Sequence, residues 1–173
     1  PSVSSSTNTE FYIYYGNSDA SDGADPTNVW DSNFKGVWHL KETGTTTRED
    51  STTNNNDGEP HNGVSGSEGK VNGANSFDGT DDYIVVSDDP SLRLSGQFTI
   101  SAWFKLDKVD VRQVIVDKKS INTYTCNYRL IACAEKDKSI GITVRDINGN
   151  NYYVRSGQVL EVGNWYFVVA VYD

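Results

Sequence analysis

Apolar and polar residues alternate along this chain in short runs, and helix-period spacing is nearly absent. The runs Phe11–Tyr15, Gly36–Leu40, Tyr83–Ser87, Phe98–Lys105, Gln113–Asp117, Tyr128–Cys133, Ser139–Arg145, Tyr152–Arg155 and Trp165–Tyr172 are rich in β-branched and aromatic residues. Such residues fit a pleated, half-buried surface, so each run predicts a strand. Asn148-Gly149 joins two of them and is a strong hairpin signal, because that pair tolerates positive φ. Asp57-Gly58, Asn62-Gly63, Asn72-Gly73 and Asp78-Gly79 mark further turns. Many short strands cut by turns predict an all-β fold, a jelly-roll β-sandwich of two antiparallel sheets. Same-parity spacing within each strand assigns Phe77, Ile84, Val86, Ile100, Ala102, Ile115, Leu130, Ile142, Val144, Val169 and Val171 to its interior.

Two stretches break the pattern. Residues 16–33 are small, acidic and loop-forming, and read as a junction, which divides the chain into 1–33 and a sandwich over 34–173. Residues 43–69 are crowded with Thr, Asn, Ser and Gly. A stretch this polar is expected to offer no core face and to run over the surface.

Charge narrows the partners. The 173 residues carry 15 basic and 24 acidic side chains, a net charge of -9 and a pI near 4.6. Nucleic acid and anionic membrane surfaces would repel such a chain. No apolar run reaches the roughly 18 residues of a membrane-spanning helix, so no direct insertion is expected. The chain opens on Pro1, has no Met and shows no secretory leader, and so reads as a piece of a longer polypeptide.

Four blocks carry a family resemblance: Asp50–Gly58, Gly69–Val86, Leu94–Lys105 and Asn164–Asp173. In this order they resemble the laminin-G-like members of the concanavalin A-like lectin/glucanase superfamily. Upstream, Phe11–Asn17 through Asp25–Asp31 is similar to the tail of a domain of unknown function that precedes such modules in archaeal and bacterial surface proteins. The resemblance implies that a hairpin and closing strands follow Asp173, and that without them the sandwich has an open edge able to associate with another chain. It also places Trp38, Trp103 and Trp165 in core strands, as packing residues.

Candidate chemistry starts with calcium. Phe77–Tyr83 places Asp78, Asp81 and Asp82 in one tight turn, and the resemblance implies that Asp50 and Asp57 lie in a nearby loop. Calcium takes several hard oxygens, and turns supply carbonyls as well as carboxylates. The plainer reading is that these aspartates cap the turn through side-chain hydrogen bonds. For carbohydrate, the candidates are Asn150, Asn151, Tyr152 and Tyr153, with Tyr124 among Asn122 and Asn127 as an alternative. Planar rings stack on sugar faces while amides reach hydroxyls. Alternation predicts that one of Tyr152 and Tyr153 turns inward.

Catalysis is not expected. The paired strand carboxylates of the superfamily's glycanases have their nearest match in Glu135-Lys-Asp137-Lys-Ser139, which lacks the second acid. His39 and His61, the two histidines, have neither zinc spacing nor a nucleophile motif beside them, and His39 reads as structural. Cys126 and Cys133 are seven apart. Along one strand that is about 23 Å, against about 5.5–6 Å for bridged Cα atoms, so no bridge between them is expected. The combined reading is a noncatalytic extracellular or cell-surface module binding carbohydrate or another surface protein, with calcium as cofactor. The second reading is a structural subunit or spacer of a surface layer, stalk or filament.

Overall fold

Alternation puts Phe98, Ile100, Ala102 and Phe104 on one side of their strand, and Tyr166, Val168, Ala170 and Tyr172 on the same side of its partner. These side chains build one wall of the core. The computed structural model describes residues 5–10, 12, 15–21, 23, 25–119, 126–133, 138–146 and 148–173, without the side chains of residues 26, 27, 119, 126 and 127. The strands are β1 (Gly58–His61), β2 (Ser65–Val71), β3 (Gly73–Ser76), β4 (Tyr83–Val86), β5 (Phe98–Lys105), β6 (Gln113–Lys119), β7 (Cys126–Ala132), β8 (Ile140–Arg145), β9 (Asn151–Arg155) and β10 (Trp165–Tyr172). Helix among the described residues is one turn, α1 (Pro26–Val29), and a 3-10 turn at Pro90–Leu92. The all-β expectation is borne out.

Among the described residues all ladders are antiparallel, and they form four sheets: β1-β4, β2-β3, β5-β10 and β6-β7-β8-β9. The last two face each other. Phe98 meets Tyr128 at 5.5 Å between ring centroids, and Phe104 clusters with Leu106, Ala132, Cys133 and Leu160. The Asn148-Gly149 hairpin forms as expected between β8 and β9, with Gly149 at a φ of 86°. The expected strand Phe11–Tyr15 rests on Phe11, Ile13 and Tyr14, which lie outside the described residues, as do Glu135 and Asp137.

Several expectations need correcting. Gly36–Leu40 is no strand but a single bridge between Trp38 and Asp50. Leu40 takes a φ of 56°, which ends the extended path. The Trp38 ring folds back over Gly36, where a Cβ would lie 2.2 Å from the ring, and its indole N–H donates to the Asn56 carbonyl at 2.8 Å. Phe77, Val169 and Val171 face outward. Both parities of β10 are apolar, so composition alone does not choose its inner face; pairing of Tyr166 with Phe104 and Ala170 with Ile100 does. Trp103, expected in the core, is also outward.

The largest correction concerns residues 43–69, which hold β1 and most of β2 together with a buried polar knot. Arg48 is 0 % exposed and Thr52 1 %, while Asp50 and Asn56 are also buried. Their side chains replace apolar packing by hydrogen bonds, which is how a polar sequence becomes interior. Arg48 donates to the carbonyls of Thr46 and Gly44 and to the Asn75 side chain. Cys133 is a free, buried thiol, and burial pushes its pKa up. Cys126 lies in β7 with its side chain outside the described residues.

Candidate metal and ligand sites

The acidic turn sits between β3 and β4. Its shape comes from its own carboxylates: Asp78 accepts from the Thr80 amide at 2.7 Å and the Asp81 amide at 3.3 Å, and Asp82 Oδ2 accepts from the Asp78 amide at 2.9 Å. Gly79 turns the chain at a φ of 75°. Antiparallel pairing of His61 with Tyr83 brings the Asn62-Gly63 turn alongside. Asn62 Nδ2 donates to the Asp81 carbonyl at 2.8 Å. Gly63, at a φ of 117°, leaves its Cβ position 3.4 Å from Asp82 Oδ1.

The turn gathers three charges. Carboxylate oxygens of Asp78, Asp81 and Asp82 all lie within 4.8 Å of one another. The Thr80 amide, above all, holds Asp78 below the ordinary carboxylate range. Asp82 Oδ1 is buried and has no hydrogen-bond donor. A buried carboxylate oxygen without a donor is costly, and a cation would satisfy it. Hard oxygens at this spacing suit calcium, with remaining ligands from water or a bound molecule. Beside the turn, His61 and Tyr83 stack at 4.8 Å with an interplanar angle of 12°. That pair went unread in the sequence because its partners lie on different strands.

Asp50 is not part of this cluster. Its Oδ1 accepts from the Val37 and Thr52 amides at 2.9 and 3.0 Å. Its Oδ2 accepts from the Thr52 hydroxyl at 2.8 Å and the Asn56 amide at 2.9 Å. Asp57 in turn accepts from the Asp50 amide at 2.8 Å. Asp50 is the hub of the polar knot, its oxygens already saturated by donors.

The β8-β9 hairpin is organised by a residue that sequence reading passed over. Asp146 accepts from the Asn148 and Asn150 amides at 2.9 and 2.8 Å, from Asn150 Nδ2 at 3.0 Å and from the Tyr152 hydroxyl at 3.2 Å. These bonds, led by Asn150, lower the Asp146 pKa, and the Asp146 charge raises that of Tyr152. An Asp two residues before Asn-Gly is the legible signal for such a turn.

Tyr152 and Tyr153 are both exposed, so the expectation that one would be buried fails: β9 is exposed along its whole length. Tyr152 instead leans on Tyr172, with centroids 5.9 Å apart, at the margin of the core. Tyr153 covers Gly141, whose Cβ position is 3.0 Å from the ring, and the Arg155 guanidinium lies 5.3 Å from its centroid. Asn151 is exposed at the first position of β9. The alternative ring, Tyr124, lies outside the described residues, with Asn122.

A sandwich of antiparallel sheets with an acidic turn ahead of its core strands has a known counterpart. The laminin G-type family model of the concanavalin A-like lectin/glucanases superfamily matches residues 78–173, more than half of the chain. The chain belongs to this superfamily. The matched segment of this concanavalin A-like domain begins at Asp78 and includes the acidic turn and β4 to β10. The crystal structure of residues 221–444 of an S-layer domain-containing protein from Clostridium thermocellum is similar. Its TM-score is 0.56 at 24% identity, covering 79% of this chain and 67% of that one, which supports the fold. No curated protein matches the chain.

Proposed function

We propose that this domain is a noncatalytic binding module of an extracellular surface protein, which holds calcium at Asp78, Asp81 and Asp82 and takes carbohydrate or another surface protein as partner. The observation that carries the reading is the buried, donorless Oδ1 of Asp82 inside a ring of three carboxylates. A cation there joins the β3-β4 turn to the Asn62-Gly63 turn. The second element is the β8-β9 hairpin, whose exposed Tyr152 and Tyr153 are held in fixed orientations by Asp146, Tyr172 and Arg155. Rings immobilised before binding lose little entropy on contact. The family match and the likeness to an S-layer domain-containing protein support an extracellular setting. Among the described residues no helix is long and apolar enough to cross a membrane.

Calcium is tested by thermal unfolding. At a free concentration one hundredfold above its dissociation constant, it stabilises the native state by about 2.7 kcal/mol. Chelator should lower the Tm of the domain, calcium should restore it, and Asp82→Ala should abolish the difference. Equal melting with and without chelator counts against the site. The ligand is tested on a glycan array at high module density, because one stacked ring contributes only about 1–3 kcal/mol, by analogy with base stacking, and avidity must supply the rest. The double change Tyr152→Ala, Tyr153→Ala should remove the signal. A silent array alongside calcium-dependent melting would leave a surface protein as the partner.

A further inference from the structure

Tyr128, Leu130, Ala132 and Val144 turn one side of the β6-β7-β8-β9 sheet to the core. Alternation therefore sends Arg129, Arg145, Tyr153 and Arg155 to its other side. In a chain of net charge -9, half of the six arginines stand on this one face. Among the described residues its strand positions hold a single acid, Asp117, which the Arg129 guanidinium meets at 2.8 Å. Tyr153 lies between the other two arginines. Pairing sets Arg145 against Asn151, Tyr153 against Thr143 and Arg155 against Gly141, so a guanidinium row flanks the ring on each side, about 6.8 Å away. The arrangement is held in place. Gly141 lets the Tyr153 ring settle on the sheet, the Arg155 guanidinium lies 5.3 Å from the ring centroid, and Arg145 Nη2 lies 3.1 Å from the Cβ position of Gly149 in the hairpin turn. Among the described residues the Arg145 guanidinium makes no hydrogen bond or ion pair. Asp146 follows it in the chain, but that carboxylate is engaged by Asn148, Asn150 and Tyr152.

We infer that this face binds an acidic glycan, with a uronic-acid carboxylate on the Arg145 guanidinium and a neighbouring sugar ring packed on Tyr153 toward Arg155. The inference rests on the carbohydrate reading of the β8-β9 hairpin and names the class of sugar. Charge makes the choice. Most of this molecule repels an anion, whereas here the strand positions carry more cations than acids. A neutral glycan would leave the Arg145 charge unused. A guanidinium presents its N–H donors in a planar fork that fits a carboxylate through two parallel bonds. The Arg145 and Arg155 rows stand about 13.6 Å apart, which suits a polymer whose charge recurs along its length better than one small anion. An acidic protein would meet the same charges, but protein partners gain most from a fully enclosed aromatic anchor. Tyr153 is a shallow ring, 42% exposed, and offers a platform instead.

Binding of the chain to immobilised polygalacturonate, compared with the same polymer after methyl esterification, is the test. Chelator is present throughout, so that calcium bridges neither the polymer nor the acidic turn. The acid form should bind, less tightly as salt is raised, and the ester at least about tenfold more weakly. Arg145→Gln should weaken binding of the acid form about fivefold, and Arg145→Gln with Arg155→Gln at least about tenfold. Arg93→Gln makes the same charge change at the Asp88 ion pair and should leave binding as it was, which separates this face from net charge. Circular dichroism confirms that each variant is folded. Equal binding of acid and ester, lost with Tyr153→Ala, would keep the hairpin as a glycan site and overturn the acidic class. Binding of the acid form that ignores Arg145→Gln would overturn the proposal. So would a chain that passes over both polymers yet binds poly-glutamate through Arg145, since the partner would then be an acidic protein. Silence toward all three probes overturns it as well, and a glycan array that is also silent takes the carbohydrate reading with it.

Discussion

Asp50→Ala should destabilise the domain by about 3 kcal/mol in urea unfolding, and the loss should be the same with calcium or chelator present. The buried Asp50 carboxylate accepts four hydrogen bonds, three from main-chain amides of Val37, Thr52 and Asn56 and one from the Thr52 hydroxyl. Removing it leaves donors without an acceptor in the interior, and each buried unpaired donor costs about 1–3 kcal/mol unless water reaches it. Asp50→Asn is a milder test, since one acceptor oxygen survives. If Asp50 were a calcium ligand, its removal would cost stability in calcium and little in chelator. The knot predicts a calcium-independent loss, whereas Asp82→Ala, which also removes the Asp78 amide's acceptor, should cost more where calcium is present than in chelator.

The contrast between these two aspartates shows what the sequence made legible. Asp78, Asp81 and Asp82 are neighbours in one turn, so short-range spacing was enough to bring them together. Asp50 joins segments around residues 37, 52 and 56, and its role depends on a loop path that no periodicity announces. The long strands β5 and β10 were readable to the residue, because eight-residue runs of aromatic and β-branched side chains have few other options. Strands β1, β2 and β3 were invisible. Gly-Glu-Pro-His, Ser-Gly-Ser-Glu-Gly-Lys-Val and Gly-Ala-Asn-Ser have no strand propensity to speak of, and they pair because tight turns hold them side by side. The β8-β9 hairpin was half legible. Asn148-Gly149 announced its turn and Tyr152-Tyr153 its rings, but Asp146, Gly141 and Tyr172, which orient those rings, were found only once the strands were registered.

The parity of β10 gives the sharpest stability contrast. Ala170→Asp should unfold the domain at room temperature, while Val171→Asp, one residue on, should shift stability by no more than about 0.5 kcal/mol. Ala170 is 8% exposed and pairs with Ile100 inside the sandwich, whereas Val171 is among the most exposed apolar residues of the sheet. An aspartate at 170 has no cationic partner in that apolar layer, so it must either carry an unpaired charge indoors or take up a proton. Either route costs several kcal/mol, a large part of the 5–15 kcal/mol that typically separates folded from unfolded domains. At 171 the new carboxylate stays in water. Parity read from the sequence reverses this expectation, since it places Val171 inside and Ala170 outside. Far-UV circular dichroism and urea midpoints decide between the two registers. A folded Ala170→Asp protein together with an unfolded Val171→Asp protein would mean that the strand turns its other face to the core.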